Sequence, residues 1–230
     1  MRRLNLCLIA AAIALSSAQA AVIELFEDDP AFIDLLPRQD APTQIAYEEQ
    51  NVFSGVGAVR VWGDPPNTQR YNPVIPGWQY KIVENPAGDQ EARWILFAWN
   101  KLEGAEGIMI QFPDNGNWGL VAGAFVDPPA PGTRRYISGL NITGWTGIQV
   151  NESPVLGEWE YYIRDLWEDF GAFTMTGIAL TPFNGVGLYD AIYLAHTKRE
   201  LEEIVSSILP VQPLGKLEVF WGAIKAKVSR

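Results

Sequence analysis

Carboxylates are the side chains here whose spacing could do acid–base chemistry. In GEWEYYIRDLWEDFG, residues 157–171, Glu158 and Glu160 stand two apart, and Asp165, Glu168 and Asp169 follow. A glycosidase sets two carboxyl groups about 5–5.5 Å apart when it retains configuration and about 6.5–9.5 Å apart when it inverts. Side chains two apart on a strand share a face at ~6.5–7 Å, so Glu158 and Glu160 meet the spacing. An ordinary solvated strand face meets it equally well. The same alternation places Trp159, Tyr161 and Ile163 on the other face, which we assign to the core, and leaves Tyr162 on the face open to a ligand. RDLWEDFG then reads as a short acidic helical turn. Asp165, Glu168 and Asp169 point to solvent, and Leu166, Trp167 and Phe170 pack inward.

Other chemistries lack their residues. The chain has one histidine, His196, and one cysteine, Cys7. Neither a histidine-rich metal site nor a nucleophilic triad can be assembled from these. No Gly-x-Ser-x-Gly elbow, phosphate loop or dinucleotide fingerprint occurs. One glycosylation sequon begins at Asn141. A net charge of −10 argues against nucleic acid or an anionic membrane as partner, because both require a basic face.

Aromatic rings are the larger resource, with nine tryptophans and eight tyrosines. Flat rings stack on the apolar faces of pyranoses while Asn, Gln, Arg and Asp satisfy the hydroxyls. Trp78, Tyr80, Trp99, Trp118, Trp145 and Tyr162 are the candidates for such a ligand-binding surface; Trp159 goes to the core.

The elements that must position these rings are mostly strands. MRRLNLCLIAAAIALSSAQA combines a basic start at Arg2 and Arg3, an apolar run and an Ala18-Gln19-Ala20 cleavage site. Residues 1–20 thus read as a secretory signal peptide, which predicts a secreted, periplasmic or cell-surface protein. Losing Arg2 and Arg3 would take the charge from −10 to −12. No other run is apolar and long enough to span a bilayer. Without a disulfide, residues 21–197 must be held by their own core, as one β-sandwich domain. Strands are expected at 21–25, 57–62, 79–84, 93–100, 107–112, 134–138, 158–164, 173–180 and 188–195, separated by Pro, Gly and Asn turns. In RWILFAWN both faces are apolar, which predicts a central strand covered on both sides. Thr197 and Glu200 form a capping box for a helix over 198–209, with Leu201, Ile204, Val205 and Ile208 as its apolar stripe. Residues 210–230 form a basic tail carrying Phe220 and Trp221.

IELFEDD (23–29), FSGVGAVRVW (53–62) and GLYDAIYLA (187–195) together resemble galactose-binding-like jelly-roll domains, which include many carbohydrate-binding modules of secreted bacterial proteins. The likeness runs over about residues 22–197 and rests on the order of the motifs. It implies an antiparallel β-sandwich of jelly-roll type. It also implies a structural calcium held by Glu27, the backbone around Ser54 and Gly55, and Asp190. On alternation Asp190 shares a face with Leu188, Ile192 and Leu194, so it requires a partner there if that face is buried.

The function expected is non-catalytic carbohydrate binding, with a polysaccharide or glycan as partner. Two alternatives remain: a glycan lyase or hydrolase using Glu158, Glu160 or Asp165, and a structural or adhesive envelope component that self-associates through its aromatic surface or its tail.

Overall fold

The computed structural model describes residues 22–39, 42–63, 69–102, 104–119, 134–141, 144 and 146–209. The signal-peptide reading of residues 1–20, Trp145, part of the sequon and the tail at 210–230 lie outside them. The described strands are β1 (Ile23–Phe26), β2 (Arg38–Gln39), β3 (Thr43–Glu48), β4 (Ala58–Gly63) and β5 (Arg70–Asn72). Then come β6 (Tyr80–Ile82), β7 (Glu91–Ala92), β8 (Trp94–Leu102), β9 (Gly107–Gln111) and β10 (Arg135–Gly139). The last five are β11 (Ile148–Asn151), β12 (Trp159–Asp165), β13 (Phe173–Met175), β14 (Ile178–Phe183) and β15 (Val186–Ala195). A 3-10 helix covers Pro30–Leu35, and two α-helices follow, α1 (Leu166–Phe170) and α2 (Lys198–Ile208). No helix among the described residues is long and apolar enough to cross a membrane.

One sheet runs β12-β8-β15-β4-β3, with β1 also on β15, and a second runs β11-β10-β9-β14-β5-β2. The strands β13, β6 and β7 make a small third sheet. Four antiparallel pairings are nested in sequence: β4 with β15, β5 with β14, β8 with β12, and β9 with β10. First pairs with last, second with second-last, and the pairs alternate between the two large sheets. That is the wrapping of a jelly roll, so the chain is a β-sandwich of the expected type.

The main core lies between the large sheets. Phe97 of β8 is its centre, stacked on Tyr136 of β10 at 5.4 Å between ring centroids and touching Trp99 and Tyr162 at 4.9 and 5.6 Å. A second apolar layer covers the outer face of the first sheet, where Leu201 and Val205 of α2 meet Leu96, Ala98 and Tyr193. RWILFAWN is apolar on both faces for this reason. The helix begins at the expected capping box: Thr197 Oγ1 accepts from the Glu200 N–H at 3.4 Å, and the Glu200 carboxylate accepts from the Thr197 N–H at 2.7 Å. The acidic turn after β12 is α1, capped by Asp165, whose carboxylate accepts from the Glu168 N–H at 3.1 Å.

Two readings of strand faces are corrected. In β15 the register slips at Asp190 to Tyr193, and Ala191 takes a left-handed φ of 49°. One extra residue flips the faces of the strand beyond it. Ile192 and Leu194 therefore join the main core, while Asp190 pairs in register with Ala98, a residue of the outer layer. In β12 it is Tyr162 that packs into the main core, whereas Trp159 and Ile163 pack half-buried on the outer layer and Tyr161 is exposed. Alternation separated the two faces correctly but could not say which one looks inward.

Phe97→Ala removes the ring at the centre of the inter-sheet core, and it should cost about 3–5 kcal/mol in chemical denaturation. A cost below about 1 kcal/mol would mean the two sheets do not close on this ring.

Candidate functional site

Strand β12 is an edge strand of the first sheet, and its two faces do different work. The inward face carries Glu160. Its Oε2 accepts from Trp99 Nε1 at 3.3 Å and from Ser138 Oγ and the Tyr162 hydroxyl at 3.2 Å each. Its Oε1 accepts from Asn151 Nδ2. Ser138 lies on β10 and Asn151 on β11, so this carboxylate ties the two sheets together at their open edge. Burial, and then the Glu160 charge, push the Tyr162 hydroxyl up to about 12, so it stays protonated and donates. Further along, Arg164 makes a two-point pair with Asp169 at 2.6 and 2.9 Å, and Asp169 accepts from the buried Tyr136 hydroxyl at 2.6 Å.

The outward face is aromatic. Trp159 lies 5.8 Å from Phe53, and Tyr161 lies 5.7 Å from the same ring. Trp159 Nε1 donates to Asn51 Oδ1 at 2.9 Å, which fixes the indole against the loop before β4. Tyr161 is 42 % exposed. Its register partner on β8 is Ala98, too small to hold the phenol ring down. The result is three adjoining rings, Tyr161 open to solvent and Phe53 and Trp159 half-exposed, with Asn51 beside the indole. Phe53 gave no sequence signal, because its role depends on contacts more than a hundred residues away.

Phe53 is positioned by Asp190. That carboxylate is fully buried, and its Oδ2 accepts from the N–H groups of Phe53 and Ser54 at 2.8 and 3.2 Å. Its Oδ1 accepts from the Ala191 N–H at 2.7 Å. Glu27 accepts from Ser54 Oγ, and Asp28 accepts from the N–H groups of Val56 and Gly57 at 2.6 and 2.9 Å. Gly55, at φ 56°, lies so close to the Asp28 carboxylate that any Cβ there would collide with it. The four residues expected at a calcium, Glu27, Ser54, Gly55 and Asp190, are thus neighbours. Calcium takes six to eight oxygens, and here hydrogen bonds already join Ser54 to Glu27 and to Asp190. Both oxygens of Asp190 and Oδ1 of Asp28 accept from backbone N–H groups, while Oε2 of Glu27 is buried without a hydrogen-bond partner. Among the described residues no group of three or more acidic, histidine or cysteine side chains is arranged to hold a metal ion.

The other sequence candidates disperse. Trp99, at 1 % exposure, and Trp78, at 7 %, are core residues and cannot stack on an external ligand. Tyr80 leans on Trp78 at 5.7 Å and packs against the same core. Trp118 stays half-exposed, with its ring edge-to-face on Tyr71 at 5.8 Å. Of the three carboxylates considered for catalysis, Asp165 is bound to Arg93 at 2.6 and 2.8 Å and caps α1, and Glu158 is exposed ahead of β12. Among the described contacts, neither joins the Glu160 network. His196 Nε2 donates to the Gly88 carbonyl at 3.1 Å.

No family model matches the chain, and no curated protein matches it in sequence. Solved structures resemble it in outline. The glycoside hydrolase domain of Endo-D from Streptococcus pneumoniae R6 aligns at 9 % identity and a TM-score of 0.40, over 70 % of this chain and 21 % of that one. The chain therefore spans about a fifth of that protein. A family 11 carbohydrate-binding module from Clostridium thermocellum, in complex with a β-1,3-1,4-mixed-linked tetrasaccharide, aligns at 10 % identity and 0.36, over 70 % and 87 % of the two chains. The C-terminal family 22 carbohydrate-binding module of Clostridium thermocellum Xyn10B gives 12 % and 0.31, over 70 % and 84 %. Likenesses at these scores carry no functional argument, so function has to be argued from the residues above.

The clasp predicts a pH dependence. Burial, with a smaller push from Glu27, raises Asp190 to about 7 despite three backbone hydrogen bonds pulling the other way. A carboxyl that binds its proton more tightly folded than unfolded favours the fold at low pH, and that contribution is lost as pH rises through about 7. Thermal denaturation between about pH 5 and pH 8 should show this loss, and Asp190→Asn should flatten it. The prediction fails if folded Asp190→Asn keeps the same pH slope.

Proposed function

We propose that this chain is a non-catalytic carbohydrate-binding β-sandwich working outside the cytoplasm, with the outward face of β12 and the Phe53 loop as its binding surface. The observation that carries the reading is the cluster of three adjoining rings, Phe53, Trp159 and Tyr161. Buried clusters of this kind are ordinary core, but one that opens to solvent at Tyr161, with Asn51 bound to the indole, offers a stacking platform with a polar side chain beside it. The signal-peptide pattern of residues 1–20 supports export. Glu160 serves the fold in this reading: four donors hold it as a bridge between the sheets, with neither Glu158 nor Asp165 at hand to share acid–base work.

Affinity electrophoresis through gels containing xylan, mixed-linkage glucan, mannan or galactan tests this directly. At least one neutral polysaccharide should retard the protein, and Tyr161→Ala should weaken the retardation about tenfold, which is roughly 1.4 kcal/mol. Because Tyr161 is exposed, the variant should keep its melting temperature. The protein should release no reducing ends from the polymer it binds. Absence of retardation across the panel, or retardation indifferent to Tyr161→Ala, would refute the proposal; hydrolysis abolished by Glu160→Gln would refute its non-catalytic part.

A further inference from the structure

Charge is divided unequally between the two large sheets. Strands β2, β5, β9, β10, β11 and β14 contain Arg38, Arg70 and Arg135 and no aspartate or glutamate. The strands of the first sheet carry Glu24, Glu48, Glu160, Asp165 and Asp190 together with Arg60, Lys101 and Arg164. In a chain of net charge −10, a sheet without a single strand acid is a local reversal of sign.

One row crosses the second sheet in register: Arg38, Tyr71, Ala179, Gln111 and Arg135. The next row, with Leu180, Ile110 and Tyr136, faces the core, so this one faces away from it. At the usual strand spacing the five residues extend over about 19 Å. Arg38 is exposed at one end and Tyr71 is half-exposed beside it, whereas Ala179, Gln111 and Arg135 are buried, so the accessible part of the row is its Arg38–Tyr71 end. Trp118 closes the corner, its ring edge-to-face on Tyr71 with 78° between the planes. Its position is set by arginines: Arg135 donates to the Trp118 carbonyl at 3.2 Å, and Arg134 donates to the Asn117 carbonyl at 2.7 Å.

Two rings at near right angles give a sugar a floor and a wall, and an exposed guanidinium next to them presents the forked donor geometry that fits a carboxylate. We propose that this face is a second saccharide site, distinct from the β12 surface, which takes sugars bearing a carboxylate, that is, uronic-acid residues of an acidic polysaccharide. Arg38 binds the carboxylate, and Tyr71 and Trp118 hold the ring. The two sites lie on opposite sheets and use no residue in common, so each stands or falls alone.

The test is affinity electrophoresis in polygalacturonate and in alginate at about 0.1 M salt, where a Debye length of about 10 Å confines the protein's overall negative charge to short range. Dextran sulfate and a neutral glucan serve as controls. At least one polyuronate should retard the protein. Arg38→Gln and Trp118→Ala should each weaken that retardation at least fivefold, with melting temperatures recorded to show that both variants fold. Tyr161→Ala should leave it unchanged. The proposal fails if neither polyuronate retards the protein, or if dextran sulfate retards it equally, which would mark indiscriminate polyanion binding. It also fails if folded Arg38→Gln and Trp118→Ala bind polyuronate as the unaltered protein does.

Discussion

The buried carboxylate of Asp190 is the constraint on which the rest of the sandwich depends. It sits at the bulge of β15, where that strand exchanges one neighbour for another: β4 pairs with it up to Tyr189, and β1 pairs with it from Ile192. The break between them leaves an opening in the sheet. The loop from Phe53 to Gly57 fills it, held by N–H groups turned toward Asp190 and Asp28. A buried carboxylate without these donors would cost several kcal/mol, so the loop and the bulge require each other. The left-handed Ala191 then returns Ile192 and Leu194 to the inter-sheet core, which the uninterrupted alternation would have denied them.

That local arrangement has a consequence at a distance. By fixing Phe53 it sets one ring of the aromatic surface, and the other two rings come from β12 across the sheet. Edge strands usually blunt themselves with charge, and β12 does so on its inward side, through Glu160 and Arg164. Those charges are absorbed by Ser138, Asn151 and Asp169 at the mouth between the sheets. The outward side is thereby free to be aromatic, and the partial cover of α2 stops short of Tyr161. One strand thus closes the sandwich with one face and offers a surface with the other.

Much of this was legible in the sequence. The strands at 93–100, 107–112, 158–164 and 188–195 announced themselves by β-branched and aromatic runs between turn residues, and the capping box at Thr197 located α2. The strands that escaped are short or rich in polar residues: β2 and β7 have two residues each, β5 reads RYN, β11 reads IQVN and β3 reads TQIAYE. Their register comes from neighbours, which a local pattern does not contain. The sandwich was therefore readable, while the faces were not. Trp99 and Trp78 are core residues, and Trp159, assigned to the core, packs half-buried on the outer layer beside Phe53. A helix packed on the outer side of the sheet makes the outer face look apolar, and an edge network makes the inner face look polar. Alternation cannot distinguish that case from its inverse. The grouping of Glu27, Ser54 and Asp190 was anticipated from resemblance, and hydrogen bonds unite them: the Ser54 hydroxyl donates to Glu27 and the Ser54 N–H to Asp190.

The most direct measurement is an NMR titration of the tryptophan indole N–H signals with an oligosaccharide of the polymer that retards the protein. The account predicts that the Trp159 signal shifts and saturates, because its ring is part of the cluster that opens to solvent at Tyr161, while the Trp78 and Trp99 signals stay in place. A saturable shift at other indoles with Trp159 unmoved would contradict it, and would locate the neutral-sugar site away from β12.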